Sequence, residues 1–358
     1  MQFHLLVDIS SHGYGHVSQT AAVLNELARL MPALRLTVRT TAPLSLLQQR
    51  IHCEFEHIPA AFDFGMKMAN AVDVQVGESA AAYREFHTGW SQRVSTEAQT
   101  IRRLKPDLLL ANVPYLSLAA ANEAGVKAVG MCSLNWADIY QHYCANEASA
   151  LLIHEQMLAA YNSAEYFLKV QPAMEMARFA NARNIQPIAQ PGTSKRINIE
   201  SQCSLRDSDK LVLVAMGGME FRLPMQTWPH LPGVHWVVPQ SWGIQRDDTT
   251  AFESLNIAFS DVMASCNAVI TKPGYGTFTE AACAAVPVLY LTRGDWPEEP
   301  CLVQWLKQNV ACLEIEREML MAGELGNVLQ RLWEIPLPRR PVASGAVEAA
   351  KFLQATFF

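Results

Sequence analysis

FHLLVDISSHGYGHVSQTAAVLNELARLM occupies residues 3–31. Its first seven residues are a short apolar run, fit for a strand buried on both faces. From Ser18 to Met31 the apolar residues recur at helical spacing, with Ser18 or Thr20 near the helix start. Between them lies HGYGHV, too small and flexible to be core. Strand, glycine-bearing turn and helix, in that order, predict the first unit of a parallel α/β sheet. The order returns in SDKLVLVAMGGME (208–220), a second strand that runs into glycines.

The rest of the chain keeps this alternation. Strands are expected at 34–40, 107–112, 127–133 and 166–170, and again at 234–240, 267–271 and 286–292. Helices are expected over 78–104, ended by Pro106, and over 117–126, capped by Gly125. A helix is expected over 147–165, a short one near 200–206, and an amphipathic one over 344–358. The polar run PGTSKRIN (191–198) marks a boundary. The expected architecture is α/β: two doubly wound, Rossmann-like domains, 1–195 and 196–343, facing each other across a cleft. Ligands of open α/β sheets sit at the carboxyl ends of the strands.

Composition sets limits. Of 358 residues, 50% are hydrophobic and 17% charged, so a large core can form and disorder is excluded. A formal net charge of −6 argues against a nucleic-acid binder, which carries a basic surface. The eight cysteines include no CxxC pair, so they read as reduced thiols of a cytoplasmic protein. The longest apolar stretch, LLLANVPYLSLAAA (108–121), holds Asn112 and Pro114 and reads as strand, turn and helix. No transmembrane segment and no secretory leader is expected. Contact with a membrane surface stays open, as does the oligomeric state.

Several turns carry groups that suit an anion or a sugar. ITKPGYGTFTEAACAAVPVL (270–289) sets Lys272, Gly274, Tyr275, Gly276 and Thr277 between a strand and a helix. Glycines let a ligand approach the backbone, and a helix N-terminus favours negative charge. Glu280 could accept both ribose hydroxyls of a nucleotide, or could complement the helix dipole. Gly217 and Gly218 could offer amides to a pyrophosphate, or simply make a tight turn. Neither GxGxxG nor a Walker lysine is present, which disfavours a nicotinamide enzyme or a P-loop ATPase. In TRGDWPEEP (292–300), Asp295, Glu298 and Glu299 could hold sugar hydroxyls or start a helix. Trp242 could stack on a base or sugar, while Trp236 reads as core. RRLK (102–105) reads as a solvated helix end.

SDVMASCNAVITKPGYGTFTEAACAAVPVLYLTRGDWPEEP (260–300) resembles the donor-binding region of GT-B glycosyltransferases. These include the bacterial enzyme that adds N-acetylglucosamine to the lipid-linked peptidoglycan precursor. The chain is more similar still to the glycosyltransferase-like N-terminal region of plant L-arabinokinases. That region shares the HGYGH type of opening, the stretch SLNWADIY (133–140), GYGT and EEP, and the similarity runs over nearly the whole chain. The kinase part of those plant proteins has no counterpart here, so no kinase activity is expected.

The resemblance implies roles. A nucleotide-diphosphate sugar, uridine-based, would bind in the second domain. The diphosphate would meet Gly274 to Thr277, with Lys272 stabilising the leaving group, and Glu280 would meet the ribose. Phe259 would lie near the base, and Glu298 and Glu299 near the donor sugar. The helix at 344–358 would cross back onto the first domain. The loop with His12, Gly13 and Gly15 would face the donor, and His16 would be the base acting on an acceptor hydroxyl. An imidazole suits that task, its ordinary pKa lying near neutrality. His12 would be a binding contact. Relatives of this kind pair the histidine with an aspartate, where this chain has Asn112; Asp138 is a candidate substitute. No cofactor and no divalent metal is expected, because amides and a helix dipole stabilise the leaving diphosphate.

The leading expectation is therefore a glycosyltransferase with a nucleotide sugar as co-substrate. Stereochemical outcome and acceptor are left open. Two alternatives predict different behaviour. A silent nucleotide-sugar-binding or regulatory protein would bind donor without product. A GT-B-fold sugar-nucleotide epimerase would isomerise the sugar without an acceptor.

Overall fold

The computed structural model describes residues 2–70, 72–217 and 221–358. Its first sheet contains β1 (His4–Ile9), β2 (Arg35–Arg39), β3 (Glu56–Ile58), β4 (Leu108–Asn112), β5 (Ala128–Cys132), β6 (Tyr166–Val170) and β7 (Ala182–Ile185). All pairings are parallel, in the order β3-β2-β1-β4-β5-β6-β7. Helices α1 (Gly15–Leu30), α2 (Leu44–Arg50), α3 (Val76–His87), α4 (Trp90–Leu104), α5 (Tyr115–Ala124), α6 (Trp136–Cys144) and α7 (Ala150–Asn162) belong to this half. All six residues of β1 are buried, including His4 and Asp8, as expected of the centre of a doubly covered sheet. Asp8 accepts two hydrogen bonds from Arg39, at 2.7 and 2.6 Å, and Glu97 accepts a third at 2.6 Å.

The second sheet, also parallel, contains β8 (Lys210–Ala215), β9 (Val234–Val238), β10 (Thr249–Ala251), β11 (Ala268–Thr271), β12 (Val288–Tyr290) and β13 (Cys312–Glu314). Its order is β10-β9-β8-β11-β12-β13. With it go α8 (Arg196–Cys203), α9 (Phe259–Ser265), α10 (Tyr275–Ala284), α11 (Glu299–Asn309), α12 (Arg317–Ala322) and α13 (Gly326–Glu334). Two doubly wound parallel sheets of this kind make up the architecture that the sequence predicts.

Two elements differ from expectation near functional positions. The helical region 78–104 is two helices, because Gly89 takes the left-handed conformation at φ +69° and Thr88 is extended. Glycine has no Cβ to oppose that conformation. Helix α1 begins at Gly15 rather than Ser18, so His16 lies inside its first turn. Thr20 donates its hydroxyl to the His16 carbonyl at 2.8 Å.

The halves share core. One apolar cluster runs from Val17, Leu24 and Ile188 to Tyr275, Phe278 and Ala350. Trp296 of the second half is buried in the cluster that holds Met66 and Trp136 of the first. The chain returns to the first half through α14 (Gly345–Phe357). Ala349, Ala350 and Leu353 are fully buried, and Phe358 stacks on Phe3 with ring centroids 3.8 Å apart. Glu348 accepts from the Gln186 amide at 3.0 Å, and the Gly345 amide donates to the Pro187 carbonyl at 3.0 Å. A Cβ on Gly345 would overlap the Gln186 carbonyl oxygen, which is backbone and cannot turn aside. Gly345→Ala is expected to destabilise the fold by about 1–3 kcal/mol. Equilibrium urea denaturation would show this as a lower midpoint at unchanged slope, and an unchanged midpoint would contradict it.

Candidate active site

Both sheets turn their carboxyl edges toward one cleft. From the first come the loop after β1, Asn112 at the end of β4 and Ser133 just past β5. From the second come Gly217 after β8, Lys272 after β11 and Arg293 after β12. The turn of a βα unit is where side chains at an edge must find partners, and here those partners come from the opposite half. Ser133 donates to Glu298 at 2.6 Å, Tyr143 donates to Asp295 at 2.9 Å, and Tyr275 donates to the Gln171 carbonyl at 2.9 Å.

His16 is buried at the centre. Its Nδ1 lies 2.9 Å from Asn112 Oδ1 and 3.6 Å from Cys132 Sγ. The Asn112 amide nitrogen points to Gln19 Oε1 at 3.2 Å, which leaves its oxygen as the acceptor for a His16 Nδ1–H. Nε2 then carries the lone pair and has no hydrogen bond among the described residues. Burial lowers His16 to a pKa of about 4, with Asn112 opposing the shift, so the ring is neutral near pH 7. A neutral imidazole with an open Nε2 can take a proton from a hydroxyl.

His12 sits edge-on to Trp136, centroids 5.0 Å apart, and parallel to Trp296 at 6.2 Å. Burial, and then electrostatic repulsion from His16 when it is protonated, Arg293 and Lys272, lower it to about 3. His12 is therefore a neutral contact. Gly13 takes a left-handed φ of +86°, Gly15 has open space at its Cα, and Gly65 leaves no room for a Cβ beside His12 and Trp136. Asp63 fixes Trp136 by accepting its indole N–H at 2.7 Å and the Ser10 hydroxyl at 2.8 Å. Burial raises Asp63 to about 6.

The second half supplies the charge. Lys272 is partly buried and its stem lies beside Gly217, which takes a left-handed φ of +87°. Burial, then Arg293, lowers Lys272 to about 7, while Glu298 and Glu299 oppose this. The Arg293 guanidinium lies 4.0 Å over the Trp296 ring, and its buried Nε has no partner among the described residues. Glu299 accepts from the Arg293 amide at 2.8 Å and so holds the loop's shape. Glu298 faces the cleft residues, and burial raises its pKa against the pull of Ser133, Trp296, Arg293 and Lys272. Gly274, Gly276 and Thr277 surround the N-terminus of α10, with Gly274 extended at its cap. Free amides there suit an anion.

Several expectations are corrected by the packing. The Tyr275 side chain does not face a donor: its hydroxyl also accepts from the Ile188 amide at 2.9 Å, so it pins the segment joining the halves. Glu280 does not line open space. It is buried, and its carboxyl lies 3.5 Å from Arg50 of α2. Phe259 opens α9 and packs edge-on against Phe252 at 5.4 Å. Trp242 is buried in the core of the second sheet and offers no stacking face, and Trp236 is core. Asp138 is no partner for His16: in the first turn of α6 its amide donates to the N-cap Asn135 at 2.8 Å, and its carboxylate accepts from the Asn135 amide nitrogen at 2.8 Å. Gly218 lies outside the described residues.

Gln19, Ser133, Trp136, Arg293 and Trp296 were not singled out by the sequence reading. Gln19 alone had a local signal, standing three residues beyond His16 on the same helix face. Among the described residues, one His/Asp grouping could hold a cation: His230, Asp247 and Asp248. It stands at the amino ends of β9 and β10, opposite the cleft, and Arg246 already binds Asp248 at 2.7 and 2.6 Å.

These two facing sheets define the GT-B fold. The chain matches the calicheamicin glycosyltransferase CalG4 with a TM-score of 0.66 at 18% identity, over 99% of this chain and 98% of that one. It matches TcCGT1, solved in complex with UDP, at 0.59 and 11% identity, over 100% and 95% of the chains. A UDP-N-acetylglucosamine 2-epimerase has the same fold at 0.56 and 13% identity, over 99% and 97%. In sequence, the chain is 22% identical over 361 residues to the L-arabinokinase of Arabidopsis thaliana. That match covers 97% of this chain and 34% of the plant protein's length. No family model matches the chain. No helix among the described residues is long and apolar enough to cross a membrane.

Burial, opposed by Arg50, raises Glu280 from 4.5 to about 7. The folded state therefore holds a proton that the unfolded chain has released between those values. Its contribution is present at low pH and is lost as pH rises through about 7. Glu280→Gln should flatten stability between pH 5 and 8 and be the more stable form at pH 8, by on the order of 1–3 kcal/mol. Urea denaturation at both pH values checks this, and parallel pH profiles for the two proteins would refute it.

Proposed function

We propose that this protein is a metal-independent glycosyltransferase that moves a sugar from a nucleotide-diphosphate sugar, UDP-linked, to an acceptor hydroxyl. The observation that carries the reading is the His16–Asn112 pair. It holds a buried imidazole neutral, with Nδ1 occupied and Nε2 available, beside a cationic cleft. His16 Nε2 takes the acceptor proton as the hydroxyl attacks the sugar's anomeric carbon. The bond from that carbon to the diphosphate breaks. The negative charge gathered on the leaving diphosphate falls among Lys272, Arg293 and the α10 amides at Gly274–Thr277, donors fixed in place before reaction. Glu298 and Glu299 stand where sugar hydroxyls could be held. Asn112 orients His16 as an aspartate would, without offering the imidazolium a counter-charge, so a slower base step than in an aspartate-paired site is expected. The UDP named for TcCGT1 supports the uridine assignment.

UDP-glucose serves as the first probe, because its diphosphate does not titrate near neutrality. Isothermal calorimetry is expected to show binding that weakens from pH 6 to pH 8. Protonated Lys272 attracts the diphosphate, and its charge is lost as pH rises through about 7. Lys272→Met should weaken binding and remove the pH dependence. His16→Ala should keep donor binding while lowering turnover on an accepted substrate by about 10²–10⁴-fold. Failure of every nucleotide sugar to bind would overturn the proposal. Sugar isomerisation with no acceptor present would favour the epimerase reading instead.

A further inference from the structure

A file of buried hydrogen bonds crosses the cleft from His16 to Glu298, with a longer branch of 3.4 Å from the Asn112 amide nitrogen to the His16 carbonyl. His16 Nδ1 meets Asn112 Oδ1 at 2.9 Å, and Asn112 Nδ2 meets Gln19 Oε1 at 3.2 Å. Gln19 Nε2 meets Ser133 Oγ at 3.1 Å, and Ser133 Oγ meets Glu298 Oε1 at 2.6 Å. The five residues are between 0% and 6% exposed, so water cannot substitute for a missing partner. Four of them belong to the first half, and Glu298 comes from the second.

The file has a direction. The Ser133 hydroxyl donates to Glu298 Oε1. Ser133 Oγ then accepts from the Gln19 amide nitrogen. The Gln19 oxygen accepts from the Asn112 amide nitrogen, and the Asn112 oxygen accepts from His16 Nδ1–H. Reversing the file means flipping both amides and turning the hydroxyl. That arrangement would point an Asn112 N–H at Nδ1 and move the ring proton to Nε2. Such a tautomer cannot take a proton through Nε2.

We infer that Glu298, acting through Ser133, Gln19 and Asn112, fixes His16 in the Nδ1–H tautomer, which makes Ser133, Gln19 and Asn112 positioning residues. The inference rests on the reading of His16 as the base of sugar transfer. It extends that reading by making the base depend on a residue of the opposite half. The Ser133–Glu298 bond exists only where the two halves meet. The tautomer therefore depends on a contact between the halves, at the place where a substrate would lie.

The tautomer can be read without substrate. The full chain labelled with ¹⁵N-histidine is examined by long-range ¹H–¹⁵N correlation at pH 7.5, with His16 assigned by signal loss in His16→Gln. The wild type is expected to show a pure Nδ1–H pattern. Ser133→Ala and Glu298→Leu, each of which removes one polar end of the Ser133–Glu298 bond and is checked for folding by circular dichroism, are expected to lose it to an Nε2–H or mixed pattern. Ser133→Thr, which keeps the hydroxyl, is expected to retain it. An Nε2–H wild type would overturn the inference. So would a pure Nδ1–H pattern in whichever of Ser133→Ala and Glu298→Leu is folded. A tautomer that responds as expected in a protein that binds no nucleotide sugar would uphold the relay and defeat the transferase reading, so the two failures are separable.

Discussion

The contact on which this structure depends is the Ser133–Glu298 hydrogen bond and the buried charge around it. Glu298 is buried, and Lys272 and Arg293 are partly so, and burying a charge is costly unless it is paired. Glu298 finds a partner that its own half does not supply. Ser133 reaches Glu298 from the first half, and the indole of Trp296 supports Arg293 while filling a first-half core. The polar cleft and the apolar contact thus reinforce each other. Neither half would leave these residues satisfied if it stood alone.

The same constraint explains the unusual values of the titrating groups. Burial moves His12 and His16 down and Glu280 and Asp63 up, in each case toward the uncharged form. Lys272 is brought to about 7, between charged and neutral. A cleft whose histidines are neutral, with Lys272 poised beside the Arg293 guanidinium, can accept a dianionic ligand without first dismantling strong internal ion pairs. The firmly ionic contact nearby, Asp8 with Arg39 and Glu97, lies at the β1–β2 edge and serves to hold the sheet.

The fold was legible because its signals are local. An apolar run of strand length, a glycine turn and a helical period identify a βα unit, and the repeats make two sheets. The glycine loops and His16 were legible for the same reason, since each stands at a strand-to-helix turn. What stayed hidden depends on chain segments far apart in sequence. Arg50 covers Glu280 from 230 positions away, and nothing in GTFTEAA signals it. Ser133 gains its meaning from Glu298, 165 residues on. Tyr275 reads as a loop residue until its hydroxyl is seen bonded to Gln171 and Ile188. Tertiary partners decided these roles, and residue spacing carries no record of them.

Helix α14 has a consequence for how the molecule folds. The first sheet's covering is finished only by residues that follow the entire second sheet, with Phe3 resting on Phe358. The first half is thus discontinuous in the chain, and the second is enclosed within its loop. Closing so long a loop costs entropy that is recovered only when the final helix docks. Contacts of such sequence separation slow folding. They also tie the two sheets into one cooperative unit, in which loss of the last helix weakens the surface laid down first.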